Sequence, residues 1–529
     1  MNDLKLIKEG LKAIHKLQPW VLPVTVLDSI LKAIHPFVNI YMSAKIIDEL
    51  IYSGNLDRLI PLVGITIGLN LIIHLLSTGS GHMSTILRDI MMQNQEMELN
   101  KKIIEMDYEH VENEKTHLLR AKIQEAELQG GGGIYSLIFY FALFLRALVT
   151  LPLSLILIME IFKLSTAMNS VAGILNSRIF NIMFVLMLAL GTIYNLKLKE
   201  NANRKIFNSF NKIIEFNKMG LFYYDHIIDY KTGKGIRLYN QGKLIKDAFK
   251  KITGGFFTMF EEIDRNNVKH GAINGFISAV LSSLVYIFAG LKALAGQISI
   301  GNIMKYTGSI NQFMDNSSIL LISAMYLKTN NQYLQFYLDF LNIEGEKYNG
   351  TIPVEKRDDN EYEIEFRNVS FKYPGTNEYV LKNISIKLRI GQRLAIVGMN
   401  GSGKTTFIKL LCRLYDPDEG QILLNGIDIR KYDYDEYLGL FSIVFQDFNL
   451  FSFSLGQNVA AAVDFDEARV KKALEEVGFR ERLDNMPLDL ATPLYKDFDE
   501  EGVEISGGEA QKIALARALY KDAPIIILD

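Results

Sequence analysis

Three stretches carry residue types whose spacing implies chemistry. "GMNGSGKT", Gly398 to Thr405, fits G-x-x-x-x-G-K-[ST], the pattern of a loop that wraps a phosphate. Gly398, Gly401 and Gly403, with Asn400 and Ser402 between them, let successive backbone N–H groups turn inward around an anion where a helix begins. Lys404 would neutralise the outer phosphates and Thr405 would offer its hydroxyl to Mg²⁺, with Thr406 following in the same helical turn. "ISGGEAQKIALARALY", Ile505 to Tyr520, puts Ser506, Gly507 and Gly508 at the start of another helix, a second terminus suited to an anion. "APIIILD", Ala523 to Asp529, reads as a buried strand that delivers a carboxylate to its tip.

One domain rarely needs two such termini for one nucleotide. Two domains facing each other head to tail would each contribute one, with ATP between them. In these motifs the chain resembles the ATP-binding cassette (ABC) family, whose signature usually reads Leu-Ser-Gly-Gly-Gln; Ile505 and Glu509 depart from it. The resemblance implies that Gln446, in "SIVFQDFNLF", reaches the metal and the attacking water, and that Tyr373, in "FKYPG", stacks on adenine. It makes Asp529 a holder of Mg²⁺ through water, so that Thr405, Gln446 and Asp529 form the metal set, and it turns Ser506, Gly507 and Gly508 toward a partner's nucleotide. "FDEEGVEISGGE" resembles the stretch that faces the membrane domain in exporters of the family. In such proteins a Glu follows the strand-tip Asp and a His lies further on. The expectation is therefore a chain truncated at its C-terminus, one that binds ATP weakly and hardly hydrolyses it. Glu509 is expected to place a negative charge near a phosphate and to weaken one site.

These motifs need elements to hold them. "RLAIV", Arg393 to Val397, reads as the buried strand entering the phosphate loop, and "TTFIKLLCRLY" as the helix leaving it. From about residue 361 strands and helices alternate with short Gly-containing turns, which predicts an α/β nucleotide-binding domain over 361–529. A polar linker over 331–360 precedes it. Residues 1–330 hold six long apolar stretches: Trp20–Ala44, Leu59–Ser77, Gly133–Met159, Ile179–Leu196, Ile273–Leu291 and Ile303–Leu327. Several approach the length a bilayer core demands. The fold class expected is an all-α six-helix transmembrane domain with cytoplasmic helix extensions, plus an incomplete α/β P-loop ATPase domain.

The connections matter as much as the spans. Those between the second and third, and the fourth and fifth, are long, charged and helical in character; Lys197–Lys269 alone holds fifteen Lys and Arg. By the positive-inside bias both termini and both long connections are cytoplasmic. The family resemblance places two coupling helices near Asp107–Asn113 and Tyr230–Tyr239. Asp28 and Lys32, four apart, share a helix face and are read mainly as an ion pair that positions helices. Asp315, amid Asn311 and Gln312, is a candidate cavity lining. "QGGGG", Gln129 to Gly133, is read as a flexible joint. The N-terminal "MNDLKLIKEGLKAIHK" is read as an amphipathic helix lying along the membrane.

Composition agrees with a membrane part fused to a soluble one, at 49% hydrophobic over 529 residues. The net charge of −3 argues against a nucleic-acid binder. The single cysteine, Cys412, excludes an intrachain disulfide and reads as a small buried apolar residue. The function read from all this is ATP-driven export of a hydrophobic or amphipathic cargo (peptide, lipid or drug). The chain would act as one half of a homo- or heterodimeric, multi-pass transporter of the plasma membrane. Three alternatives stand beside it: a non-hydrolysing regulatory half, an importer with an exporter-like fold, and a soluble cassette protein of DNA repair or translation, which the six apolar spans disfavour.

Overall fold

A computed structural model describes residues 3–128, 132–162, 177–343, 345, 350–355, 362–389 and 391–529. These form two compact units, one of residues 1–102 and 118–342, the other of 103–117 and 343–529. Most of "QGGGG" lies outside the described residues, as do 344, 346–349 and 356–360 of the expected linker, whose first eleven residues, 331–341, are instead helical.

The first unit is helical. Its elements are α1 (Asp3–Leu17), α2 (Val21–Tyr52), α3 (Leu56–Glu105, which runs on into the other unit), α5 (Glu114–Leu128), α6 (Gly133–Met159), α7 (Arg178–Ile228), α8 (Tyr230–Leu238), α9 (Gly242–Leu294) and α10 (Ile300–Leu341). The four-residue α4 (Tyr108–Val111) belongs to the second unit. Helices lie over all six apolar stretches. Among the described residues α2, α3, α6, the first part of α7, and α9 are long and apolar enough to cross a membrane. The sixth stretch is helical within α10, but Asn, Ser and Gln are too frequent there for it to qualify on composition.

α3, α7 and α9 have 50, 51 and 53 residues. At 1.5 Å per residue each is about 75–80 Å long, more than twice a bilayer core. The charged connections are thus continuations of the spans.

Close packing follows small residues. α2 buries Val21, Thr25, Ser29 and Ala33, one per turn. α10 meets α2 at glycines: a Cβ on Gly301 would lie 2.1 Å from the Ala44 carbonyl oxygen, and one on Gly308 2.9 Å from Ile40. Asp48 closes that approach by accepting from Gly301 N (2.8 Å) and Ser299 Oγ (2.6 Å), while Ser299 caps α10 by accepting from Asn302 N. Asp28 and Lys32 do pair, at 2.8 Å, and Ser80 of α3 donates to the other Asp28 oxygen at 3.2 Å. Asn311 accepts from Ser282 of α9 at 2.8 Å.

α1 is amphipathic, as expected, and it is packed against other helices. Its buried residues Leu6, Gly10 and Ile14 follow one stripe, which is covered by protein. A Cβ on Gly10 would stand 2.7 Å from Leu137 of α6 and 3.1 Å from Leu334 of α10. That stripe is used in helix packing, while Leu4 of the same helix is exposed.

The second unit contains β1 (Glu363–Phe371), β2 (Leu381–Arg389), α11 (Lys404–Leu411), β3 (Glu419–Leu424), β4 (Ile427–Asp428), α12 (Tyr434–Gly439), β5 (Phe441–Val444), α13 (Leu455–Ala460), α14 (Glu467–Glu476), α15 (Arg480–Asp484), α16 (Gly507–Lys521) and β6 (Ile525–Leu528). Four strands form an antiparallel sheet in the order β2-β1-β3-β4, and β5 pairs with β6 in parallel. Alternation in β1 turns Ile364 and Phe366 inward, where Phe366 stacks on Phe407 of α11 at 4.5 Å. A second core, with Leu455, Leu474, Phe479 and Ile513, holds the helices together. Cys412 is fully buried and its thiol is pushed up to about 12 by that burial, so it is a packing residue without nucleophilic character.

One expected element is not formed. Arg393–Val397 has no regular secondary structure and belongs to neither sheet, and Val397 is 92% exposed. A strand exists only where neighbouring backbone groups pair with it. Here Arg393–Ile396 and β6 both line a cavity of about 570 Å³ in place of sharing a ladder.

Candidate nucleotide-binding site

The site is assembled at the carboxyl ends of β5 and β6, together with the loop that opens α11. In the parallel register Val444 stands opposite Leu528, so Asp529 and Gln446 leave the same end of the pair. Asp529 N donates to the Val444 carbonyl at 3.0 Å, extending the ladder by one residue and fixing where the carboxylate starts.

The phosphate loop takes the backbone conformations its glycines permit. Gly401 and Gly403 have φ of +80° and +90°, in the left-handed region that side chains avoid. Gly403 is also crowded, since a Cβ there would meet Leu381 at 2.8 Å. Lys404 curls across the loop and donates to the carbonyls of Gly398 (2.9 Å) and Met399 (3.0 Å). An ammonium has three donors, so its charge is held within the loop with donor capacity to spare. Gly398, Asn400 and Ser402 are exposed along the same turn.

Thr405, at the second position of α11, donates its hydroxyl to both Asp529 oxygens, at 2.9 and 3.3 Å. These residues are 124 apart in the chain. A hydroxyl and a carboxylate are oxygen donors of the kind a hard divalent cation takes, so the pair fits Mg²⁺. Gln446 is exposed just beyond β5, on the same side. Thr406 points the other way, buried, with its Oγ1 3.0 Å from the Tyr373 hydroxyl. Tyr373 is half-buried and packs edge-on against Phe371 (5.2 Å) and Tyr415 (5.5 Å).

The Ser506 helix start is a separate region of the same unit. Ser506 N-caps α16, its Oγ accepting from Glu509 N at 3.4 Å while Glu509 accepts from Ser506 N at 2.8 Å. This capping box leaves Ser506, Gly507 and Gly508 exposed. Glu509, expected to disturb a phosphate, is instead turned back on its own helix and pairs with Arg482 at 2.8 Å. The bond from the Ser506 backbone, then its side chain, and the charges of Arg482 and Lys512 hold its carboxyl below the usual glutamate range. Sequence reasoning treated Glu509 as a bare charge, although S-x-x-E is itself a capping-box signal.

Reasoning from sequence also missed the surroundings of Lys409 on α11. Its ammonium is bonded to both oxygens of Glu112, next to α4, at 2.9 and 3.0 Å, and Tyr415 donates to the same carboxylate. Residues 297 apart in the chain give no local signal of this kind.

Residues 381–529 match the family model described as ABC transporter. Over that stretch the chain is similar to ABC transporters, and the matched residues follow the helical unit in the sequence. The chain is 34% identical over 305 residues to the subtilin transport ATP-binding protein SpaT of Bacillus subtilis, covering 56% of this chain and 48% of that protein. It is 28% identical over 366 residues to the ATP-dependent lipid A-core flippase of Paraburkholderia xenovorans, covering 67% and 58%. The chain thus spans about half the length of the curated relatives it matches. In fold it is similar to a bacterial Atm1-family ABC exporter solved with ATP bound, with a TM-score of 0.68, 18% identity, and coverage of 97% of this chain and 85% of that one.

Proposed function

We propose that this chain is one half of a dimeric ABC exporter of a cell membrane, a multi-pass protein with both termini cytoplasmic, that binds Mg–ATP and uses it to move a hydrophobic or amphipathic cargo. The observation that carries the nucleotide reading is the meeting of Thr405 and Asp529 beside the phosphate loop. Backbone N–H groups of Gly398–Lys404 would cradle the phosphates, and Lys404 would shift from loop carbonyls to phosphate oxygens at small cost, because both are acceptors. Thr405 and Asp529, with Gln446, would hold Mg²⁺, which supplies charge neutralisation at the terminal phosphate when bound. Tyr373 would stack on the base. Ser506, Gly507 and Gly508, left open by the capping box, would face the nucleotide of a second chain, identical or related.

The two long, charged helix pairs support the transmission reading. α4 and α8 are short helices where the coupling elements were expected. Closure of two cassettes on ATP could bias such a bundle only through differential affinity for its states. The activities named for the relatives, subtilin transport and lipid A-core flipping, support export of an amphipathic cargo. The test is titration of the chain in detergent micelles with Mg–ATP. Lys404→Ala and Asp529→Asn should each weaken Mg–ATP binding by about tenfold or more, as loss of charge-assisted bonds implies. Equal affinity in both variants would sink the site assignment.

A further inference from the structure

The Lys409 side chain lies in a cage. Its ammonium is 5.4, 5.5 and 5.9 Å from the ring centroids of Tyr108, Tyr373 and Tyr415, with the Glu112 carboxylate closing the remaining side. The side chain is 13% exposed, and Tyr415 is 2% exposed. Tyr415 stands edge-on to Tyr108 at 5.9 Å and edge-on to Tyr373 at 5.5 Å, so one ring touches both ends of the cluster.

Removing the Glu112 charge would strand a largely buried cation and a buried phenol at once. Burial is the largest single influence on Lys409 and disfavours its ionised form, yet the bond to Glu112 and the charge interactions of Tyr373, Glu112 and Tyr108 together raise the ammonium's affinity for its proton. Cation–π attraction to three rings holds the ammonium on the tyrosine faces. Each of these contacts bears on Tyr373, whose hydroxyl is already fixed by Thr406. The ring read as the adenine platform is therefore linked, through Lys409 and Tyr415, to a residue next to α4, in the segment 103–117.

We propose that Glu112 is a positioning residue for the Tyr373 ring, acting through Lys409 and Tyr415, so that affinity for the base of ATP depends on how the 103–117 segment is seated. This rests on the reading of Tyr373 as the adenine-stacking residue. Reciprocity requires that base binding tighten the seating by the same factor.

The experiment titrates the full chain in micelles with Mg–ATP and with Mg–tripolyphosphate, which has no base. Tyr373→Ala should weaken ATP by about tenfold, the scale of one base–aromatic stack, and leave tripolyphosphate nearly unchanged. Glu112→Gln and Lys409→Met should weaken ATP by about three- to tenfold, again without moving tripolyphosphate, and adding Glu112→Gln to Tyr373→Ala should cost nothing further. Lys409→Arg, which keeps a cation in the cage, should restore most of the ATP affinity. A Glu112→Gln chain that binds ATP like the parent, or loses both probes equally, overturns the proposal. If Tyr373→Ala itself leaves the ratio of the two probes unchanged, the stacking reading fails, and the proposal with it.

Discussion

Glu509 offers a quantitative test of how a departure from a family motif is absorbed. Glutamine in its place keeps an acceptor for Ser506 N but loses the charge facing Arg482. That pair is partly exposed, at 38% and 26%, so solvent screening leaves it worth about 0.2–1 kcal/mol. Alanine removes the pair and the reciprocal cap together, and a lost cap adds about 1 kcal/mol. Glu509→Gln should thus cost under about 1 kcal/mol and Glu509→Ala about 1–2 kcal/mol. Hydrogen exchange at the Ser506 and Glu509 amides, with the full chain in micelles, reads this directly. Opening of the helix start should become roughly five- to thirtyfold more frequent in the alanine variant and rise by less than about fivefold in the glutamine one.

The pH dependence has a definite sign. The folded carboxyl is depressed, so its contribution is fully present above the ordinary glutamate range and is lost as pH falls through the lower folded value. The gap between parent and Glu509→Gln should close over that acid window, and alanine should stay below both. Equal exchange rates in the glutamine and alanine variants would refute the capping argument. An alanine variant as protected as the parent would refute the whole account.

Gly301→Ala should lower the thermal midpoint by several degrees, because a Cβ 2.1 Å from the Ala44 carbonyl forces α2 and α10 apart; a scan in micelles checks it. Tyr437→Phe should cost about 1–2 kcal/mol in denaturant titration, since its fully buried hydroxyl donates to the Leu411 carbonyl at 2.6 Å. Thr405→Val should weaken ATP more in the presence of Mg²⁺ than in its absence, measured by paired titrations. Thr405→Ser should retain the metal response.

The chemistry-bearing residues were legible because their spacing is local. Gly401, Gly403, Lys404 and Thr405 declare a phosphate loop within eight residues, and the charged continuations of the apolar stretches declare helices that outrun the bilayer. Arg393–Val397 misled because β-branched and apolar residues describe a willingness to pair, whereas a strand needs partners alongside. The protein partners of the α1 stripe, Leu137 and Leu334, were not legible either, since an amphipathic stripe fits lipid and protein equally well. The Lys409 cage was out of reach altogether. Its members come from three distant parts of the chain, and tyrosines and a lysine on an α/β domain carry no pattern of their own.

The length of α7 has a mechanical meaning. A continuous helix of 51 residues is a stiff rod of about 77 Å, and a tilt of about 5° about one end moves the other by roughly 7 Å. That travel exceeds the spacing of a helical turn, about 5.4 Å. A pivot anywhere along the rod divides it into two arms whose displacements scale with their lengths. Small rotations at one extremity can thereby be exchanged for ångström-scale changes in gap at the other, without any helix having to unwind.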